Sequence, residues 1–453
     1  MKVKRLILTA AAAWLLHGGV AAQDSTAAAL PQQWTLQQCI DRAKTQNVAV
    51  RRLRVSAQSA QIDVKDAKSA RLPQVSFQTS QGFSNRPFQS TSAVVNGSQV
   101  VSTNHKNSYT GDYGLSASMP LYDGGQTANN VKLQQLNSQI ADLNVSAQEL
   151  NLEESVTKLY VQILYAQETV KQDKEQIELS QKQLDRGRGL FKSGLLNKAD
   201  VAQLESQNAT DRYQLVADES TLADYKLQLK QLLELDGDQN LELAASGTDA
   251  DALTPLPAKA DVYAAALALR PEIQAGKLAM NRSELDEKIA KAGSLPSVTL
   301  NAGMSTNNIT GNGGFFDQLK RQWSNTLGVT LSVPIYDRGK TKNAIAKARL
   351  EKESSYLDLL DSQKTLWKSI EGYWQQATSA QQRYAAAKEQ VQYARTSYEL
   401  TSEQFRLGLK NIVQLLTDKT NLSKAAQQMI QAKYMAVLNA AMLSYYQGGQ
   451  MAL

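Results

Sequence analysis

Met119-Pro120-Leu121-Tyr122-Asp123-Gly124-Gly125 recurs 214 residues later as Val333-Pro334-Ile335-Tyr336-Asp337-Arg338-Gly339. The offset persists downstream, where Phe191, Gly194, Leu195 and Asn197 match Phe405, Gly408, Leu409 and Asn411. Upstream, Leu72-Pro73 matches Leu295-Pro296 at an offset of 223, so the first copy carries nine extra residues between its proline corners. A chain repeated in this way folds as two copies of one unit, and length differences between copies collect in loops. Each copy reads helix, strand, loop, strand, long helix, turn, helix.

The N-terminus has a basic start, Met1-Lys2-Val3-Lys4-Arg5, an apolar stretch from Leu6 to Leu16, and Val20-Ala21-Ala22 ahead of Gln23. That pattern predicts a signal peptide over 1–22 and an exported protein. Its removal lowers the formal charge from +6 to +3 on the remaining chain, which implies no nucleic-acid partner. Beyond it no apolar run approaches the roughly 18 residues of a spanning helix, so any membrane entry must be made by strands. The lone cysteine, Cys39, allows no intrachain disulfide and reads as a buried helix residue. With His17 removed, His105 is the one remaining histidine, so no zinc site, Cys/His pair or Ser/His/Asp triad can be assembled. No glycine-rich phosphate loop is present either, and neither an enzyme nor a cofactor is expected. A carboxylate-dependent hydrolase is the weakest of the rival readings.

From Tyr109 to Leu121 the odd positions are mostly apolar and the even positions are Thr110, Asp112, Gly114, Ser116 and Ser118 with Pro120. The second copy is cleaner, with Leu327, Val329, Leu331 and Val333 alternating with Thr326, Gly328, Thr330 and Ser332. Alternation of this length predicts strands. A water-soluble sheet with one face on a core shares the pattern. Very long flanking helices with polar faces, and Trp323, Tyr109, Tyr122 and Tyr336 near strand ends, favour a membrane barrel. Four strands cannot close alone, and open edges are forbidden in hydrocarbon. Two chains would give eight strands and a barrel filled by its own side chains. Three would give twelve and leave a lumen, which suits an inward set of small Ser, Thr, Gly and Asn.

The 61 residues from Gln126 to Arg186 contain no proline, and Ala377, Ala380, Tyr384, Ala387, Val391, Ala394, Tyr398, Thr401 and Phe405 form an unbroken a/d series. The first repeat is expected over 23–235, with a helix, strands at 74–84 and 108–121, a long helix at 124–190 and a helix at 198–235. A linker follows over 236–261. The second repeat, 262–453, carries a helix, strands at 297–306 and 323–335, a long helix at 338–407 and a helix at 411–446. Pro73, Pro120, Pro296 and Pro334 mark the barrel-to-helix corners, and Asp123 and Asp337 are placed to cap the long helices. Asn208, Asp211 and Asp218 interrupt the apolar seam of the 198–235 helix and read as register-setting layers.

With these motifs in view the chain resembles the TolC-type outer membrane efflux proteins over nearly its whole exported length. The resemblance rests on Trp34-Thr35-Leu36 opening a helix, Arg270-Pro271-Glu272-Ile273 opening its second-copy counterpart, the two Pro-x-Tyr-Asp corners and the tips Ser193-Gly194-Leu195 and Leu407-Gly408-Leu409. It implies a mostly α, mixed α/β fold: a periplasmic α-barrel of long antiparallel coiled-coil helices continuous with a transmembrane β-barrel of four strands per chain. It further implies a homotrimer set in outer membrane lipid, working with a periplasmic adaptor and an inner membrane transporter as the passive exit duct of a small-molecule efflux pump. Alternatives are the duct of a type I protein secretion system and a periplasmic coiled-coil scaffold without a pore. Gly194, Leu195, Gly408 and Leu409 are the implied adaptor-contacting tips. Asp200, Phe405, Lys410, Gln414 and Thr417 are the implied entrance gate. The acidic pair common at this entrance is replaced by Gln414 and Thr417, and its usual tyrosine by Phe405, which cannot donate a hydrogen bond. The remaining latch is Asp200 with Lys410, within one chain or between chains. Asp200 reads equally as a helix-start carboxylate near the macrodipole. No metal is implied.

Overall fold

A computed structural model describes residues 33–88, 92–96, 99–103, 106–244 and 253–451. The signal peptide and His105 lie outside the described residues.

The two repeats match in their sheet strands and in their helices on either side of the sheet, with one refinement to the expected order. The upstream helix of each is two helices: α1 (Leu36–Gln46) and α2 (Val48–Ser69) in the first, α5 (Lys259–Leu269) and α6 (Pro271–Ala292) in the second. Both pairs are offset by 223, so Arg270-Pro271 opens the counterpart of α2, not of the helix that Trp34 precedes. The break is local chemistry. Asn47 and Arg270 both leave the helical region, at ψ 126° and 124°. Asn47 then caps α2 through Ala49 N–H, and Pro271 occupies the first turn of α6, where its missing N–H costs nothing. Thr35 and Gln38 close a reciprocal capping box on α1.

Four strands form one antiparallel sheet in the order β1 (Gln74–Asn85), β4 (Asn107–Tyr122), β5 (Ser297–Ile309), β6 (Ser324–Ser332). The repeats are therefore joined at the centre by β4 and β5, while β1 and β6 are open edges. Register puts the apolar positions in one file: Val75, Ala117, Ala302 and Leu327 lie side by side, as do Met119, Leu300 and Val329. The opposite face aligns Ser76, Ser116, Gly303 and Thr326, with Ser76 and Ser116 hydroxyls 2.8 Å apart. Leu327, Val329 and Leu331 are exposed in the single chain. Between β1 and β4 the first copy forms a hairpin of β2 (Ser92–Asn96) and β3 (Gln99–Thr103), and the second places the short helix α7 (Phe315–Arg321) in its loop.

The expected bounds shift at the corners. The strand expected over 323–335 ends at Ser332, because Pro334 has no N–H to give a ladder. The one expected over 297–306 runs to Ile309, whose backbone N–H and carbonyl both bond the Gln318 side chain of α7. Pro73 and Pro296 immediately precede β1 and β5. Pro120 lies inside β4 at a bulge, where the pairing slips between Pro120 and Tyr122, and the chain turns only at Asp123–Gly125.

The long helices α3 (Gln126–Lys192) and α8 (Lys340–Arg406) each hold 67 residues, about 100 Å at 1.5 Å per residue. They begin two residues later than expected because Gly125 and Gly339 are left-handed, at φ 85° and 79°. Asp123 and Asp337 still serve the helix starts from outside: each accepts the N–H four residues on, Thr127 and Thr341, at 2.7 Å. Antiparallel partners α4 (Lys198–Leu232) and α9 (Ile412–Tyr446) return from the tips. The segment expected as a linker over 236–261 already contains the start of α5, and its Leu241 and Leu243 are buried, with Leu243 pairing to Trp34 as an isolated bridge.

Helix packing follows the sheet: α2 packs on α3, α3 on α6 and α6 on α8, and toward the tips α4 packs on α3 and α9 on both α3 and α8. The main core lies where α1, α5 and the 241–243 segment wrap this layer, joining Trp34, Cys39, Tyr160, Leu229, Val262, Ile273, Ile370 and Leu443. Each such side chain contributes about 1.5–3 kcal/mol on burial. Burial pushes the Cys39 thiol up to about 12, so it stays a neutral packing group. Arg270 stacks 3.7 Å from the Tyr446 ring centre and ties the α5–α6 corner to the end of α9.

Candidate functional site: helical tips and a buried polar layer

The two tips are the same structure twice. α3 ends with Gly194 at φ 76°, Leu195 N–H bonded to Leu190 C=O and Gly194 N–H to Phe191 C=O; α8 ends with Gly408 at φ 75°, Leu409 bonded to Gln404 and Gly408 to Phe405. This is a Schellman closure, which needs a residue without a Cβ at the left-handed position. A Cβ added at either glycine would meet nothing within 4 Å, so the requirement is backbone conformation rather than space. The next residue projects freely: Leu195 is 74% and Leu409 71% exposed. Two leucines at matched tips are apolar side chains that the chain itself leaves uncovered.

The residues assigned to the entrance divide into two groups. Phe405 is buried with Leu184, Leu204, Tyr398, Ile412 and Leu415 in a cluster just behind the tips. Gln414, Thr417 and Lys410 are exposed. The Asp200–Lys410 latch does not form within the chain. Asn197 caps α4 by accepting Asp200 N–H at 2.8 Å, and the Asp200 carboxylate accepts Asn197 N–H at 3.3 Å, so this acid completes its own capping box. Asp418 accepts hydrogen bonds from Thr401 and Ser397 at 2.6 and 3.2 Å and joins α9 to α8.

Farther from the tips, the polar residues of the α4 seam meet partners that sequence reasoning missed. Lys419 of α9 is 2% exposed and pairs with Asp211 of α4. Asn208 donates to Ser180 Oγ at 3.0 Å across the α3–α4 seam. Asp173 of α3, 5% exposed, faces Asp218 of α4. Burial first, and then the Asp218 carboxylate beside it, push the Asp173 carboxyl up to about 7, well above the ordinary carboxylate range. Two further ties cross between the helical hairpins: Lys433 to Glu168 at 3.2 Å, and Gln183 Nε2 donating to Tyr398 Oη. The signal for Lys419 was present in sequence. It occupies the seam series Ile412, Leu415, Lys419, Leu422, where a lysine can be buried only against a carboxylate.

The outward faces are equally regular. Val48, Val55 and Ile62 form an exposed stripe on α2 with a spacing of seven, and α8 carries Leu350 and Leu357 near the sheet and Tyr393 and Leu400 toward the tips, with Leu407 just past its end. The helices α2 and α8 are the two ends of the α2–α3–α6–α8 packing order, as β1 and β6 are the two ends of the sheet. Among the described residues no helix is long and apolar enough to cross a membrane, and no cluster of acids, histidine and cysteine could hold a metal.

The family model for "Outer membrane efflux protein" matches residues 39–234 and 262–449. The chain is 25% identical to the outer membrane efflux protein BepC of Brucella suis biovar 1 (strain 1330) over 339 residues, covering 73% of this chain and 70% of BepC. It is 22% identical to the outer membrane protein TolC of Escherichia coli (strain K12) over 427 residues, covering 90% of this chain and 81% of TolC. A crystal structure of CusC superposes with a TM-score of 0.78 at 17% identity, covering 92% of each chain. These likenesses span both repeats, the sheet and the paired helices. The chain belongs to the outer membrane efflux protein family, a channel family without enzymatic activity, and resides in the outer membrane with a long periplasmic tunnel.

Proposed function

We propose that three copies assemble into a passive exit duct through which an inner membrane transporter, joined by a periplasmic adaptor, expels small molecules. The observation that carries this reading is a four-stranded sheet with an apolar face exposed and both edges open. Such a sheet is stable in lipid only when its edges pair, so β1 of one chain joins β6 of the next and three copies give twelve strands. The inward files of Ser, Thr, Gly and Asn are too small to fill a ring of that size. The helix edges close in the same sense: Val48, Val55 and Ile62 meet Leu350 and Leu357 of the neighbour, while Tyr213 and Val216 of α4 meet Tyr393 and Leu400. The tips Gly194-Leu195 and Gly408-Leu409 receive the adaptor, and Asp200, Lys410, Gln414 and Thr417 surround the entrance, where an Asp200–Lys410 contact between chains remains open to the assembled ring.

Native mass spectrometry of the detergent-extracted protein tests the assembly, and planar bilayers test the pore. Trimers with a steady single-channel conductance are expected. Monomers or dimers without conductance would overturn the duct in favour of a scaffold. Co-purification with a transporter that exports a polypeptide, and none that exports small molecules, would overturn the choice of cargo alone.

A further inference from the structure

A recess of about 670 Å³ lies between α3, α4, α8 and α9, at the level where the wrapping helices meet the layer. Its size is that of a small-molecule site. Four tyrosines line it: Tyr165, Tyr225, Tyr373 and Tyr434, with Tyr165 and Tyr434 edge to face at 6.4 Å. Its two charged lining residues are both lysines, and no carboxylate lines it. Lys158 sits 5.5 Å over the Tyr373 ring and is neutralised by Glu154. Lys368 has no ion pair among the described residues and leaves the recess with a net positive charge. Gly372 lies in the middle of α8 on the recess wall, and a Cβ there would meet nothing within 4 Å. A mid-helix glycine costs about 1 kcal/mol against alanine, and no neighbouring packing requires this one. What its absent side chain leaves is room in the recess.

The direction in which the recess opens follows from α8. The wrapping helix α5 packs on the side of α8 that carries Trp367, Glu371 and Trp374, through a Tyr263–Trp367 ring contact at 4.9 Å and a Lys259–Glu371 ion pair. At about 100° per residue, Thr365, Gly372 and Gln376 project roughly 140–180° round from Trp367, and Lys368 projects about 100° round, at the rim of the recess on the side of the Leu350–Leu357 stripe. The exposed Leu350–Leu357 stripe, assigned above to the neighbouring copy, lies between these two sides. Elements that wrap an open duct lie outside it, so the recess faces the lumen; this step rests on the duct reading.

We propose that the recess is a binding station in the duct wall for anionic aromatic molecules in transit, present once per chain. Lys368 takes the anionic group, and the tyrosine faces and edges take the ring. A surface of neutral phenols around one ammonium holds such a ligand by stacking and one charge-assisted bond while the rest of it stays hydrated, so it is retained weakly and released again.

The test uses the full-length protein in planar bilayers with 1-naphthalenesulfonate as probe, and (1-naphthyl)trimethylammonium as the cation of matched shape. Reversible, concentration-dependent reduction of the wild-type current by the sulfonate is expected, with a markedly weaker effect of the cation. Gly372→Leu puts a side chain into the recess from a position whose Cβ meets no neighbour, and Lys368→Gln removes the charge. Each should raise the half-blocking concentration at least tenfold while leaving trimer yield and open conductance unchanged. Titration calorimetry of the detergent-solubilised protein reads binding directly. If the wild type does not conduct, the duct reading fails, and sulfonate heat lost in Gly372→Leu still upholds the recess as a site. Equal block and equal heat in wild type and both variants, or neither in the wild type, would overturn the proposal.

Discussion

At pH 8 the α3–α4 seam must hold an ionised carboxylate at Asp173, which is 5% exposed and lies beside Asp218; at pH 5 Asp173 keeps its proton instead. Asp173 binds its proton more tightly folded than unfolded, with its carboxyl raised from 3.8 to about 7. The sign follows. The folded chain carries the extra proton between those values, so the stabilisation is full below about pH 4 and is lost as pH rises through 7. Three pH units at about 1.4 kcal/mol each set an upper limit of about 4 kcal/mol per chain. Asp173→Asn keeps the hydrogen-bonding shape, removes the charge and should abolish this dependence. Global unfolding of such an assembly is not reversible, so the assay is hydrogen exchange, followed on the amides of 169–180 and 211–222 between pH 5 and 8 and corrected for intrinsic rates. In the wild type the opening free energy of these segments should fall by about 2–4 kcal/mol across the range, and in Asp173→Asn it should stay flat. Parallel curves for the two proteins would show that Asp173 does not hold its proton in this range, and the account of the layer would be wrong.

Lys419→Met should destabilise the α4–α9 contact by about 3–5 kcal/mol, because it leaves Asp211 buried without its partner, and Lys419→Met with Asp211→Leu should recover most of that loss in the same exchange measurement. Arginine at Val329, in the apolar file of the sheet, should cost about 2–4 kcal/mol in folding into lipid vesicles if it sits near the bilayer midplane, whereas arginine at Thr330 should cost far less; equal losses would remove the assignment of faces. Alanine at Gly194 or Gly408 should cost about 1–2 kcal/mol of local tip stability from the left-handed backbone alone, since neither Cβ meets a neighbour. Leu195→Asp and Leu409→Asp should leave trimers intact while weakening adaptor crosslinking, and unchanged crosslinking would restrict the tips to a turn-forming role.

The a/d series from Ala377 to Phe405 could be read directly and is buried as expected, Ala394 only partly, because a helix with a repeat near 3.5 presents one seam wherever it is placed. The glycine tips were equally legible, since only glycine takes φ near 75° at no cost at the end of a helix. Asp200 shows the opposite case. Its residue type and distance from the tip suited both a gate and a cap, and the capping contact depended on where the Asn197 N–H points. The hairpin β2–β3 and the short helix α7 were not foreseen, because loop segments without a strong period can take either form.

Periodicity, duplication and turn chemistry are local properties, and through them the sequence by itself determined two repeats, amphipathic strands, long paired helices and left-handed tips. Register and neighbourhood are not local. Only the tertiary structure decided that β4 and β5 join the repeats and leave β1 and β6 as edges. It alone placed Lys419 against Asp211 across 208 residues, and brought Asp173 to Asp218. The physical reason is that burial and opposing charge act through space. A lysine in a seam and three acids in other seams have no meaning separately, and acquire one when three helices bring them into the same dry layer.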